Sequence, residues 1–141
     1  MALRSVRAVV AHQTFVAAPA DATAYEASVS MKQHGKGALL VLEGQRLVGI
    51  VTERDIVFRV VAAGRDPRNT SLEAVMTPQP QCIEASKPFL HALRVMRQGG
   101  FRHVPVIDND RPIGVVSARD ALDDDFFDLR ADLEQREDEQ Y

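Results

Sequence analysis

The sequence of 141 residues contains an internal repeat. Sliding it against itself by 65 residues aligns residues 20–55 with 85–120 without a gap, with 11 identities in 36 positions. Chance gives about two identities at ordinary residue usage. The identical pairs are Ala20/Ala85, Ala27/Ala92, Met31/Met96, Gln33/Gln98, Gly35/Gly100, Val41/Val106, Arg46/Arg111, Gly49/Gly114, Val51/Val116, Arg54/Arg119 and Asp55/Asp120. Because two copies are too few for a solenoid, we expect them to pack face to face as one closed body.

Each copy predicts the same elements: a short extended piece, a helix, two strands joined by a tight turn, and a second helix. The first helix is predicted to start after Asp21 or Thr23, and the spacing of Thr23 from Glu26 fits a capping box. In the second copy the helix is expected after Ser86, with Pro88 in its first turn. The strands are predicted at residues 38–42, 47–51, 103–107 and 112–116. The fold class is therefore α/β (α+β).

One glycine interrupts the second strand of each copy: Gly49 in the first copy and Gly114 in the second. A glycine inside a strand often marks a place where another part of the chain comes close to the backbone. We therefore expect a close neighbour at both positions. The second helix of the first copy is predicted from Thr52 to about Ala63, with Gly64 as its cap.

Composition excludes several classes of protein. Hydrophobic residues make up 45% and charged residues 26% of the chain, which is typical of a globular domain. No apolar run approaches the roughly 18 residues of a membrane helix, and residues 1–12 lack a signal-peptide core. The single cysteine, Cys82, forms no internal disulfide, so we expect a cytoplasmic protein that does not act at a membrane.

Charge is distributed unevenly along the chain. Residues 123–141 carry nine acids and two arginines, a net −7, whereas the remaining 122 residues have a net charge of +4. A mildly basic body is compatible with binding an anion. In the acidic tail, Phe126, Leu129 and Leu133 recur at helical spacing. This spacing predicts an amphipathic helix that lies on a partner or on the body.

The end of each second strand carries the candidate chemistry. Residues 49–55 and 114–120 both read Gly-x-Val-Thr/Ser-x-x-Asp, with a hydroxyl followed three residues later by a carboxylate at a helix start. One interpretation is a plain capping box. The other is a sugar-phosphate site, since helix amides and a hydroxyl suit a phosphate, while a carboxylate accepts hydrogen bonds from ribose hydroxyls. The residues alone leave both open.

These duplicated motifs resemble the tandem CBS domain family, the Bateman module, over roughly residues 8–122. Residues 75–77 (Val-Met-Thr) and 102–108 (Arg-His-Val-Pro-Val-Ile-Asp) resemble further hallmarks of the family. The resemblance implies two units packed with pseudo-two-fold symmetry through their strands, and a homodimer whose four units form a disc. The predicted organisation is unit one at 1–63, a linker with a short helix at 64–76, unit two at 77–122, and the acidic helix or tail at 123–141.

The resemblance also implies clefts that bind adenosine-containing ligands such as AMP, ADP, ATP or S-adenosylmethionine. Asp55 and Asp120 would then bind ribose hydroxyls. Thr52 and Ser117 would contact phosphate or ribose.

Other positions complete the set that the resemblance implies. Arg102 and His103 stand where the family places cationic phosphate contacts, and Cys82 and Ile83 where the base is held. Unit one lacks the Arg-His pair, for which Lys36 is a partial replacement. We therefore expect the two clefts to be unequal.

The expected function is that of a non-catalytic energy or metabolite sensor. An adenine nucleotide is its regulatory ligand, without a catalytic cofactor or metal, and an unidentified effector protein or a second copy reads the bound state. The sequence offers no nucleophile with a base beside it, and its histidines lack metal-ligand spacing. One alternative is a structural homodimerisation module with empty clefts. A nucleic-acid-binding module ranks lower, because aromatic residues are only 6% of the chain.

Overall fold

The computed structural model describes residues 4–121, which form two sheets flanked by helices. The four-stranded sheet has the order β1-β2-β3-β4, and the three-stranded sheet the order β5-β6-β7. The strands are β1 (Ala17–Ala18), β2 (Ala38–Glu43), β3 (Arg46–Thr52), β4 (Thr77–Pro78), β5 (Ile83–Glu84), β6 (His103–Asp108) and β7 (Arg111–Ser117). The helices are α1 (Val6–Val10), α2 (Ala24–His34), α3 (Glu53–Asp55), α4 (Leu72–Val75) and α5 (Phe89–Gly99). The predicted α+β class is confirmed; the acidic tail at 123–141 lies outside the described residues.

Strand pairing repeats with the period of the sequence. Ala38 pairs with Thr52 in the first sheet, and His103 pairs with Ser117 in the second, both antiparallel. Each first strand of a hairpin also pairs in parallel with a short preceding strand, β1 with β2 and β5 with β6. The register shifts after Val41 and again after its counterpart Val106. The structure therefore contains the same unit twice.

The first helix of each copy starts differently. Thr23 caps α2 and accepts a hydrogen bond from the Glu26 amide at 3.1 Å, which is the first of the two bonds of the predicted capping box. In the second copy α5 starts at Phe89, later than the sequence suggests, because Pro88 is the extended N-cap residue with ψ 150°. The extended conformation is held by the N-terminal segment, since the Phe89 amide donates to the Arg4 carbonyl at 2.8 Å.

The second helix of the first copy begins at Thr52 as predicted but changes its winding. After the single turn of α3, residues Ile56–Val61 are π-helical. The Ala62 amide donates to the Val57 carbonyl at 2.8 Å, a bond between residues five apart. Gly64 follows at φ 71°, in the left-handed conformation of a cap.

The two hydrophobic cores exchange helices. Helix α1 buries Val6, Val9 and Val10 in the core of the second repeat, together with residues of α5, β6 and β7. Helix α4 buries Leu72 in the core of the first repeat. The predicted boundaries put α1 in unit one and α4 in the linker, whereas α1 packs in the core of the second repeat and α4 in the core of the first.

Both strand glycines lie under one of these exchanged segments. A Cβ atom at Gly114 would lie 2.6 Å from the Cβ of Val10 in α1. A Cβ at Gly49 would collide with the sulfur of Met76, which follows α4. The expected close neighbours are therefore present at both positions.

The repeats meet through strands β3 and β7. Phe15, Leu40, Ile50 and Val115 pack together at this junction. The strand-to-strand junction has the pseudo-two-fold arrangement that the resemblance implies. In the part of the chain that the structure describes, no helix is both long and apolar enough to cross a membrane.

Candidate functional site: two clefts where the repeats meet

Two clefts of different size open where the repeats meet. The large cleft has a volume of about 620 Å³ and the small cleft about 130 Å³. Six residues of the large cleft have their repeat equivalents in the small one. The pairs, large cleft first, are Phe15/Pro80, Lys36/Phe101, Ala38/His103, Val115/Ile50, Ser117/Thr52 and Asp120/Asp55. The clefts are therefore related by the pseudo-two-fold, and each takes its hydroxyl and acid from one repeat and its opposite wall from the other.

Side-chain size accounts for the difference in volume. Phe101 and His103 stand in the small cleft where the large cleft has Lys36 and Ala38. A phenyl and an imidazole ring fill space that a flexible lysine and a methyl group leave open. The predicted inequality of the clefts is thus present.

The large cleft brings together five of the predicted ligand-binding residues. They are Lys36, Arg102, His103, Ser117 and Asp120. Arg119, which was not among the predicted residues, adds a third cationic side chain to Lys36 and Arg102. The sequence did contain a signal for Arg119, because it is identical in the two repeats and directly precedes Asp120.

The carboxylate of Asp120 is held by its own helix start. Its Oδ2 accepts from the Ser117 amide at 2.7 Å and from the Ser117 hydroxyl at 3.4 Å. Its Oδ1 accepts from Nε2 of Gln13 at 2.8 Å. The capping role and the cleft position therefore coexist, and Gln13 occupies the oxygen that faces the other repeat.

The equivalent pair in the small cleft forms a complete capping box. The Thr52 amide donates to Asp55 Oδ2 at 2.8 Å, and the Asp55 amide donates to Thr52 Oγ1 at 3.3 Å. Oδ1 of Asp55 also lies 3.7 Å from Nε of Arg59. Arg59 in turn donates to the Val75 carbonyl at 3.1 Å, so this carboxylate is tied to the end of α4.

His103 is placed between the two clefts and lines both. Burial lowers its pKa below the ordinary 6.5, Glu53 and Asp120 oppose this shift, and Arg102 adds to it. The neutral imidazole is therefore favoured in the folded protein near neutral pH.

The lowered pKa of His103 predicts acid-sensitive stability. The unfolded chain takes up this proton first as pH falls below about 6.5, so stability is lost as pH falls from there through the folded pKa. The variant His103→Ala introduces the residue found at the equivalent position Ala38. Its free energy of unfolding, measured with urea at about pH 7.5 and about pH 5, should change less between the two pH values than that of the parent protein. An equal difference in both proteins would contradict the assignment.

The last two predicted residues lie beyond the clefts. Ile83 is buried in the core of the second repeat. The thiol of Cys82 contacts the Pro80 carbonyl at 3.2 Å, and burial raises its pKa. Neither residue lines a cleft, whereas the preceding Pro80 and Gln81 line the small one.

Three residues that were not predicted as site residues also line the large cleft: Gln13, Phe15 and Glu53. The repeat equivalents of Gln13 and Phe15 are Pro78 and Pro80, which belong to no motif selected for the site, so the repeat did not point to them. Glu53 lies inside the selected motif but differs from its counterpart, Ala118. Within residues 4–121, no three His, Cys, Asp or Glu side chains are grouped to hold a metal ion.

Comparison with curated proteins finds similar sequences in larger proteins. The chain is 43% identical over 96 residues to the "Meiotically up-regulated gene 70 protein" of Schizosaccharomyces pombe, covering 67% of this chain and 13% of that protein. It is 37% identical over 107 residues to the mitochondrial CBS domain-containing protein CBSX3 of Arabidopsis thaliana, covering 72% and 52%. The chain thus spans about half or less of these two relatives.

Solved structures share the fold over most of the chain. The CBS-domain structure NE2398 has a TM-score of 0.82 at 27% identity and covers 89% of this chain and 99% of its own. A CBS domain protein of Pyrobaculum aerophilum, solved in complex with AMP, has a TM-score of 0.75 at 25% identity and covers 83% and 89%. The CBS domain family model matches residues 6–62 and 72–125. The chain therefore belongs to the CBS domain family and carries two copies of the domain.

Proposed function

We propose that this CBS pair is a regulatory module that binds one adenine nucleotide, of the AMP, ADP or ATP type, in its large cleft. The proposal depends on one observation: Ser117 and Asp120 line the same cleft of about 620 Å³ as the cationic side chains of Lys36, Arg102 and Arg119. That volume lies within the roughly 300–1,000 Å³ typical of small-molecule sites. The AMP-bound Pyrobaculum aerophilum protein of the same fold supports the choice of ligand.

The chemistry of the lining suggests an orientation for the ligand. Ribose hydroxyls donate to the carboxylate of Asp120 and replace the amide of Gln13 there. Phosphate oxygens lie toward Lys36, Arg102 and the His103 side of the cleft. Phe15 is the apolar surface available to the base.

The small cleft is proposed to be the weaker site. Thr52 and Asp55 line it, but its volume of about 130 Å³ falls below the range of ordinary ligand pockets. Cys82 and Ile83 line neither cleft, so their base-holding role stays a prediction. We expect one nucleotide per chain.

Calorimetric titration of the full chain with AMP, ADP and ATP tests the proposal. Saturable heat with a stoichiometry near one would support it. No heat from any of these ligands would leave the structural homodimerisation module as the better account. An effector protein that reads the bound state, a location in the cytoplasm and the absence of catalysis all remain predictions.

An exposed apolar face supports self-association. Val57, Phe58 and Val61 of the π-helical turn are 51%, 58% and 69% exposed. Adjacent exposed apolar side chains on one helix are typical of an interaction surface. We expect a homodimer through this face and a monomer for Phe58→Glu, measured by sedimentation velocity. Gln98→Glu, at an exposed position on the different helix α5, adds the same charge and is the control; a dimeric Phe58→Glu protein would contradict this assignment.

A further inference from the structure

One acidic side chain lies in the cationic part of the large cleft. Glu53 comes from the first repeat, directly after Thr52, and lines the same cleft as Lys36, Arg102 and Arg119. Its repeat counterpart is the neutral Ala118, which also lines that cleft. The asymmetry of the repeats therefore adds one negative charge to a cleft otherwise suited to anions.

The backbone fixes where this acid lies. The Glu53 amide donates to the Gly37 carbonyl at 3.0 Å, which ties the start of α3 to the chain beside Lys36. A Cβ atom at Gly37 would collide with the Glu53 carboxylate and would lie 3.3 Å from Nε2 of His103. The carboxylate and the imidazole thus share the space that the absent side chain of Gly37 leaves open.

The position is at the phosphate end of the cleft. Asp120 is held by Ser117 and provides the ribose contact in the proposed orientation, whereas the carboxylate of Glu53 lies over Gly37 on the His103 side of the cleft. A negative charge there repels each further phosphate that extends past the first. A monophosphate needs only the cations on the near side, while a triphosphate must also approach Glu53.

We propose that Glu53 is a specificity-determining residue that makes the large cleft favour a nucleoside monophosphate over the triphosphate. The inference rests on the proposed nucleotide site and adds which phosphate chain that site accepts. It predicts a change in the ratio of two affinities, which a general loss of folding or of the site would not produce.

The test is Glu53→Gln, which keeps the shape of the side chain and its backbone hydrogen bond. Titrate AMP and ATP into both proteins at low salt with EDTA present. The substitution should raise ATP affinity by about 3- to 10-fold more than AMP affinity, since the triphosphate carries the larger charge. The gain should shrink at high salt. Glu73→Gln, at an exposed position on α4 outside the cleft, removes the same charge and should leave the ratio unchanged.

Several results would overturn the inference. An unchanged ratio, or an equal loss of affinity for both nucleotides, would show that Glu53 does not sense phosphate number; the equal loss would identify a contact with a hydroxyl or amino group. If Glu53→Gln binds ATP more weakly than the parent protein, and only when Mg²⁺ is added, Glu53 contacts a nucleotide-bound metal ion and does not repel phosphate. If the parent protein binds neither AMP nor ATP, the proposed function fails and the inference with it. AMP binding with an unmoved ratio rejects the inference alone.

Discussion

Asp120→Ala is expected to reduce the affinity for AMP by about 10- to 100-fold, whereas Asp55→Ala should change it by about twofold or less. The carboxylate of Asp120 lies in the large cleft, where two ribose hydroxyls have no other fixed anionic acceptor in the proposed orientation. Hydrogen bonds to a charged group contribute about 1.5–3 kcal/mol each. Because the carboxylate gives up its hydrogen bond from Gln13 when the two hydroxyls bind, the net loss is that of about one such bond, which converts to about 10- to 100-fold. Calorimetry on both variants measures it.

The internal repeat provides a matched control for this loss. Asp55 caps its helix as Asp120 does, with amide-to-carboxylate distances of 2.8 Å and 2.7 Å. Each substitution therefore removes the carboxylate that accepts from the N-cap amide and leaves the hydroxyl of Thr52 or Ser117 in place, at a cost of about 1 kcal/mol. Thermal unfolding should show comparable losses of stability, so a difference in nucleotide affinity reports the cleft. Equal affinities in the two variants would reject the large cleft as the site.

The elements of the fold were predictable because their determinants are local. Alternating and continuous apolar residues define the strands, and Thr23 and Gly35 define the ends of α2 within a residue of the structure. The exchange of α1 and α4 was not predictable in this way. Val6, Val9 and Val10 have helical spacing, but nothing in that spacing states that they pack in the core of the distant second repeat. Such packing depends on contacts far apart in the chain.

The site followed the same division between local and distant determinants. The capping interactions of Thr52 with Asp55 and of Ser117 with Asp120 join residues three apart, and the motif shows them directly. Gln13 reaches Asp120 across 107 positions, and the sequence gives no sign of it. Ile83 was expected to contact a nucleotide base, but β5 directs its side chain into the core of the second repeat. The direction in which a two-residue strand faces depends on its partners in the sheet, which lie far away in the sequence.

Gly114→Ala is expected to destabilise the protein by about 1–3 kcal/mol, the cost of overpacking a well-filled core. The new Cβ would lie 2.6 Å from the Cβ of Val10 and 2.9 Å from its Cγ1, and Val10 is only 4% exposed. Neither atom lies at the end of a flexible side chain, so α1 itself must move. Because α1 leads directly to Gln13, the same displacement should weaken the contact of Gln13 with Asp120.

Gly49→Ala is the matched substitution in the first repeat and should cost less. The nearest atoms there belong to the long side chain of Met76, which has other rotamers, although the Thr77 carbonyl at 3.2 Å limits the space. Urea unfolding of both variants compares the two positions, and Val10→Ala combined with Gly114→Ala should be less destabilised than the sum of the single changes. Strictly additive effects, or an equal cost at both glycines, would mean that α1 is not held against β7 as described. If Gly114→Ala lowers the free energy of unfolding more than Gly49→Ala does, the packing of α1 against the second repeat determines stability. Through Gln13, the same packing would then also determine access to the large cleft.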